Sequence, residues 1–132
     1  RLREVAAGTY GVQPGQVLAG NGSDDCLTII FRSLVEGADR VACPWPTHGL
    51  YDDLAAIQGV AIEHVDWARD WALPTVLPRL GAKLVLLANP NNPSGTVVPV
   101  PELRRLADAL DGILVVDEAY VDFCPDGSIL PH

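Results

Sequence analysis

Asp117 closes the apolar run Ile113-Leu114-Val115-Val116, so its carboxylate is carried on stiff backbone in a partly dry place. A carboxylate in that position needs a cation or several donors, and a metal, a basic side chain or a protonated heterocycle nitrogen all qualify. Gly20-Asn21-Gly22-Ser23-Asp24-Asp25 lies where a strand-like stretch gives way to a helical one. Its glycines let backbone approach a ligand, and the open N–H groups of a first helical turn suit a phosphate. The plainer reading makes Ser23 an N-cap, with Asp24 and Asp25 complementing the helix dipole. It is not a dinucleotide fingerprint, because the third glycine of GxGxxG falls where Asp25 stands. In Asn89-Pro90-Asn91-Asn92-Pro93-Ser94-Gly95 the prolines and glycine fix a loop, and the asparagines offer donors and acceptors to a ligand or to one another. His48 follows Pro44-Trp45-Pro46-Thr47, where a planar ring can stack on a flat cofactor or simply be a solvated side chain.

Competing chemistries find less support. Val115-Val116-Asp117-Glu118 resembles the magnesium-holding strand of P-loop nucleotide hydrolases, but that reading requires GxxxxGK[ST] upstream. Lys83 is the only lysine, and Leu84 follows it. His64, flanked by Glu63 and Asp66, has no second nitrogen ligand nearby, so no metal site is expected. No GxSxG elbow and no catalytic-cysteine context occur, and Arg104 and Arg105 are expected on a solvated helix face.

Composition narrows the class further. The chain has 132 residues, 48% of them hydrophobic, and a formal net charge of −8. That apolar content excludes a disordered tail, and an acidic chain without a basic run argues against nucleic acid or an anionic membrane as partner. No apolar run approaches the roughly 20 residues that span a bilayer, and no signal peptide is visible. Cys26, Cys43 and Cys124 are odd in number and lack CxxC spacing, which points to reduced thiols in the cytoplasm. Methionine is absent, the chain opens at Arg1 in mid-pattern, and it closes on Ser128-Ile129-Leu130-Pro131-His132 without a terminal helix. An internal piece of a longer protein is the expectation, with a processed mature domain as the alternative.

The elements that must position these residues alternate between helical and strand-like. Residues 1–8 read as the tail of a helix, 16–19 as a short strand, and Gly20-Asn21-Gly22 as a turn. From Ser23 the spacing of Leu27, Ile30, Phe31 and Leu34 predicts a helix, with Gly37 as its stop. Strands are expected over 39–43, ended by Pro44 and Pro46, and over 60–65. A helix over 47–58, stopped by Gly59, joins them. Pro74 and Pro78 allow only short helical turns between 66 and 80. Leu84-Val85-Leu86-Leu87-Ala88 and Ile113-Leu114-Val115-Val116 are apolar without alternation, which suits parallel strands covered on both faces. Residues 101–110, with Leu103, Leu106 and Leu110, form the crossover helix of a βαβ unit. The class is therefore α/β with a mostly parallel sheet, and ligands in such sheets bind beyond the carboxyl ends of the strands. The three polar clusters fall on that rim.

In this order GNGSDD, PTHGLY, NPNNPSG and VVDEAY resemble the fold-type-I pyridoxal-phosphate aminotransferases, and within them most closely the histidinol-phosphate aminotransferases. The resemblance implies a three-layer α/β/α fold, with residues 1–132 as part of the large cofactor-binding domain. It implies that the backbone of Gly22, Ser23 and Asp24 holds the phosphate of pyridoxal 5'-phosphate. Asn92 and Tyr120 then bond the oxygen at C3, and Asp117 pairs with the ring nitrogen. His48 stands where the family usually carries Tyr, Phe or Trp on the ring face, and this smaller ring stacks more weakly. The implied reaction is transamination between a small-molecule amino donor, histidinol phosphate, and 2-oxoglutarate in histidine biosynthesis. Other class I/II aminotransferases and threonine-phosphate decarboxylase share these blocks, and a non-catalytic relic is a further alternative.

The family's Schiff-base lysine and its carboxylate-gripping arginine lie downstream, here beyond His132, and a tyrosine of a homodimer partner lies upstream. Lys83 cannot replace that lysine: about five residues at roughly 3.3 Å each put it ~16 Å from the rim. The 132-residue piece alone is expected to be inactive. The family's strand near Val17 pairs with one that comes later, so the isolated piece is also expected to be poorly soluble.

Overall fold

The computed structural model describes residues 1–130; Pro131 and His132, at the end of the closing segment noted above, lie outside the described residues. Four strands form one parallel sheet: β1 (Arg40–Trp45), β2 (Ala61–Asp66), β3 (Leu84–Ala88) and β4 (Ile113–Asp117), in the order β2-β1-β3-β4. The helices are α1 (Leu2–Tyr10), α2 (Ser23–Leu34), α3 (Leu50–Gln58) and α4 (Val100–Ala109). Between β2 and β3 the chain makes only short 3₁₀ turns at Arg69–Trp71 and Leu77–Arg79, where Pro74 and Pro78 had forbidden a longer helix.

The sheet is sandwiched between helical layers. Successive strand residues point to opposite faces. Val41, Cys43, Leu84 and Leu86 accordingly pack with Leu27 and Phe31 of α2 and Tyr51 and Leu54 of α3. On the other face Ala42 and Val85 meet Leu77 and Leu106, while Leu87 meets Val98 and Leu103 of α4. β3 is buried along its whole length. Burial of one such leucine is worth ~1.5–3 kcal/mol, which is why an unbroken apolar run is tolerated there. β4 is only half-covered, since it forms an edge of the four-stranded sheet and exposes Ile113. Its entry beside β3 depends on Gly112, where a Cβ would come within 2.3 Å of the Ala82 carbonyl oxygen.

Three local expectations are corrected. Residues 16–19 form no strand; a 3₁₀ turn at Pro14–Gln16 runs into irregular, mostly exposed chain, because no neighbouring strand is there to take its hydrogen bonds. β1 does not stop before Pro44 but continues through it to Trp45. The β1–β3 ladder ends at Ala42↔Val85, so Pro44 sits where β1 pairs with β2 alone and its missing N–H disrupts no second ladder. α2 ends at Leu34, three residues before Gly37, and its C-cap Val35 is in extended rather than left-handed backbone.

Candidate functional site

The carboxyl ends of β1, β3 and β4 and the start of α2 converge on one pocket of about 270 Å³. Ser23, Asp24, His48, Asn92, Asp117 and Tyr120 line it, together with Ala88, Pro90 and Ala119. Gly22 adjoins it as the residue before α2. All seven residues singled out in the sequence thus lie at one rim, brought there from four separate segments.

At the start of α2 the N-cap is Gly22 and not Ser23, and no side chain caps the helix. The plainer reading of Ser23 therefore fails: it occupies the first helical position. Gly22 has φ 88° and ψ 176°, a region open essentially to glycine alone. That turn leaves the N–H groups of Ser23, Asp24 and Asp25 without hydrogen bonds among the described residues. Asp25 folds back to accept the N–H of Asn21 at 2.9 Å, which removes one carboxylate from competition for those amides. Asp24 Oδ1 stands 3.8 Å from Nε2 of His48.

The asparagine loop divides its labour. Asn89 is buried and fully engaged: its Oδ1 accepts the N–H of Val98 at 2.7 Å, and its Nδ2 donates to the carbonyls of Val98 and Gly127. Buried Asn91 accepts from the Thr47 hydroxyl at 3.0 Å and donates to the Pro46 carbonyl and Ser94 Oγ. These two asparagines are structural, but they bond distant segments rather than one another. Asn92, half-buried, makes no side-chain hydrogen bond among the described residues, so its amide is left for the pocket. Tyr120, 49% exposed, lines the same pocket.

Asp117 ends β4 with both carboxylate oxygens engaged. Its Oδ1 accepts the N–H of Ala119 at 3.1 Å, and its Oδ2 accepts the hydroxyl of Tyr51 at 3.0 Å. Sequence reasoning passed over Tyr51. Its only signal is its place three residues after His48, in the first turn of α3. The two rings meet edge to face, 5.7 Å between centroids. Burial, and then the charge of Asp117, push the Tyr51 phenol far above its ordinary range, so it stays a donor.

Other candidates are spent elsewhere. Glu118 accepts the Ser128 hydroxyl and the Ile129 N–H, which ties it to the following segment rather than to a magnesium site. His64 Nε2 stands 2.8 Å from Asp52 Oδ1, and its ring stacks on Trp45. Lys83 pairs with Asp39 at 2.8 Å, at the amino end of β3, away from the pocket. Arg104 and Arg105 are solvated on α4.

The profile of the family described as aminotransferase class I and II matches residues 2–131. Among curated relatives, a histidinol-phosphate aminotransferase 3 of Mesorhizobium japonicum is 42% identical over 97% of this chain and 36% of its own length. A histidinol-phosphate aminotransferase of Rhodopirellula baltica is 44% identical, again over 97% of this chain and 36% of its own. Among solved structures, a histidinol-phosphate aminotransferase of Sinorhizobium meliloti, in complex with pyridoxal-5'-phosphate, superposes with a TM-score of 0.86 at 31% identity. That match covers 98% of this chain and 37% of the other. The chain thus spans a little over a third of the proteins it resembles. The parallel sheet, the polar rim and the match over nearly the whole sequence together establish that the chain belongs to the aminotransferase class I and II family.

Proposed function

We propose that the protein carrying this chain is a pyridoxal-phosphate-dependent aminotransferase, with histidinol phosphate as amino donor and 2-oxoglutarate as acceptor. The observation that carries this reading is the single pocket in which an anchored carboxylate, an unbonded asparagine amide and a helix start with three open N–H groups face one another. Residues 1–132 are then part of the large cofactor-binding domain. The names of the curated relatives support the substrate choice. The reading includes a homodimer in the cytoplasm; no helix among the described residues is long and apolar enough to cross a membrane.

The donor set suits the cofactor at each end. Open amides at the start of α2 neutralise a phosphate without a mobile cation. The Asp117 carboxylate, held from two sides, would pair with a protonated ring nitrogen. Asn92 and Tyr120 offer hydrogen bonds to an oxygen that carries negative charge. His48 presents an imidazole to the ring face. When bound, pyridoxal phosphate supplies the electron sink for a substrate carbanion. Lys83, paired with Asp39 at the amino end of β3, takes no part in the pocket.

The test is to assay the full-length protein for glutamate formed from histidinol phosphate and 2-oxoglutarate. Turnover that falls at least a hundredfold in Asp117→Asn supports the reading. Release of carbon dioxide from threonine phosphate without transamination, or normal turnover in Asp117→Asn, overturns it. The 132-residue chain alone is expected to show no turnover.

A further inference from the structure

We propose that Tyr51 is a positioning residue of the cofactor site, which sets the orientation of the Asp117 carboxylate; this rests on the function proposed above. Tyr51 is buried completely, on the face of α3 packed against β1 and β3, and never reaches the pocket surface. Its hydroxyl nevertheless meets Asp117 Oδ2 at 3.0 Å, across 66 residues of sequence.

The geometry divides the carboxylate between two fixed donors. The N–H of Ala119 holds Oδ1 and comes from the chain just past β4. Tyr51 holds Oδ2 and comes from another layer of the fold. Two donors on different oxygens fix the carboxylate plane, which a single bond leaves free to turn. Each oxygen keeps a further lone pair for a cation in the pocket.

The second consequence is electrostatic. A hydrogen bond to the charged form of a carboxylate stabilises that form and weakens its hold on a proton. The bond from Tyr51 thus leaves the charge of Asp117 on the pocket lining, where a cation can meet it. Tyr51 suits this task because it does not ionise in place. The groups that face its hydroxyl and ring are Asp117 from β4, Cys43 from β1 and His48 from the turn before α3. Asp117 and Cys43 both oppose a second negative charge there. The same ring backs His48 edge to face, so one buried side chain supports two walls of the pocket.

The experiment uses the full-length protein as wild type, Tyr51→Phe, Asp117→Asn and the double variant. Pyridoxal phosphate affinity is read by absorbance titration, and the pH midpoint of the bound cofactor's absorbance is followed. Tyr51→Phe is expected to weaken cofactor affinity five- to twentyfold and to move the pH midpoint, with the fold retained by circular dichroism. In the Asp117→Asn background the same change is expected to have less than a twofold effect, since the charge it acts on is gone.

Unchanged affinity and midpoint in Tyr51→Phe, or an equal loss in both backgrounds, overturns the proposal while leaving the function intact. Failure of the wild type to bind the cofactor overturns the function instead. Should Tyr51→Phe not fold, tyrosine ionisation at alkaline pH decides between wild type and Asp117→Asn. An earlier ionising tyrosine in the variant supports the coupling, and identical titrations overturn it.

Discussion

The hydroxyl of Thr47 donates to the carboxamide oxygen of Asn91 at 3.0 Å, and both residues are buried. This bond joins the segment after β1 to the loop after β3, and the Pro46 carbonyl and Ser94 hydroxyl take up the other side of the same amide. The rim of the pocket is therefore built by Asn91, while its neighbour Asn92 is spared for a ligand.

Asn91 and Asn92 should accordingly behave as opposites. Removing Asn91 strands the buried Thr47 hydroxyl, while the Pro46 carbonyl keeps its bond from Trp67 Nε1, and Asn91→Ala is expected to destabilise the full-length protein by ~1–3 kcal/mol. Asn92→Ala should stay within ~0.5 kcal/mol of wild type, as expected where no bond within the chain is lost. It should instead loosen pyridoxal phosphate. Denaturant unfolding and cofactor titration of the two variants separate these effects.

Gly22 is expected to tolerate no side chain. With φ 88° and ψ 176° it holds backbone that costs another residue ~1–3 kcal/mol, although space for a methyl group is free. Gly22→Ala should therefore lower stability through the backbone and weaken inorganic phosphate or cofactor binding by turning the amides of Ser23 and Asp24. Wild-type phosphate affinity in that variant would mean that the helix start is not the anion site.

Cys43 should be the least reactive of the three thiols. Burial in the α3-covered face, and then the charge of Asp52, push its pKa from 9.0 up to about 12. The native state thus holds this proton more tightly than the unfolded chain does. The associated stability is complete below the ordinary thiol value and is lost as pH rises from about 9 towards 12. Iodoacetamide at pH 8 should label half-buried Cys26 and Cys124 first, with Cys43 modified only on unfolding.

Lys83→Met tests the placement of the only lysine in the chain. Asp39 has its carboxyl pKa lowered by the hydrogen bond from Lys83 and by the N–H of Glu36. That stabilisation is present above the ordinary carboxyl value of 3.8 and fades as pH falls through the depressed one. The variant should lose part of its resistance to acid unfolding while cofactor binding and turnover at neutral pH stay unchanged. Lost turnover would return Lys83 to the chemistry.

Much of this architecture was legible because the forces behind it are local or repetitive. The unbroken apolar run of β3 declares a strand covered on both faces, and Leu103 and Leu106 declare the buried stripe of α4. Glycine at position 22 and the carboxylate at the end of β4 mark the rim by residue type alone. The expected strand at 16–19 failed for the converse reason: its apolar residues fit a strand, but a strand exists only where another supplies hydrogen bonds.

What remained hidden depends on partners far apart in the chain. Sequence places three asparagines in one loop, yet only Thr47, Val98 and Gly127 reveal that Asn89 and Asn91 are structural and that Asn92 is left over. Tyr51 reads as one more apolar helix residue until α3 docks on the sheet and carries its hydroxyl to Asp117. Residue types and their order thus determined the fold class, the family and the membership of the rim. The division of those residues between scaffold and site was decided by packing, because a hydrogen-bonding side chain is free or occupied only according to which distant group the folded chain brings within about 3 Å of it.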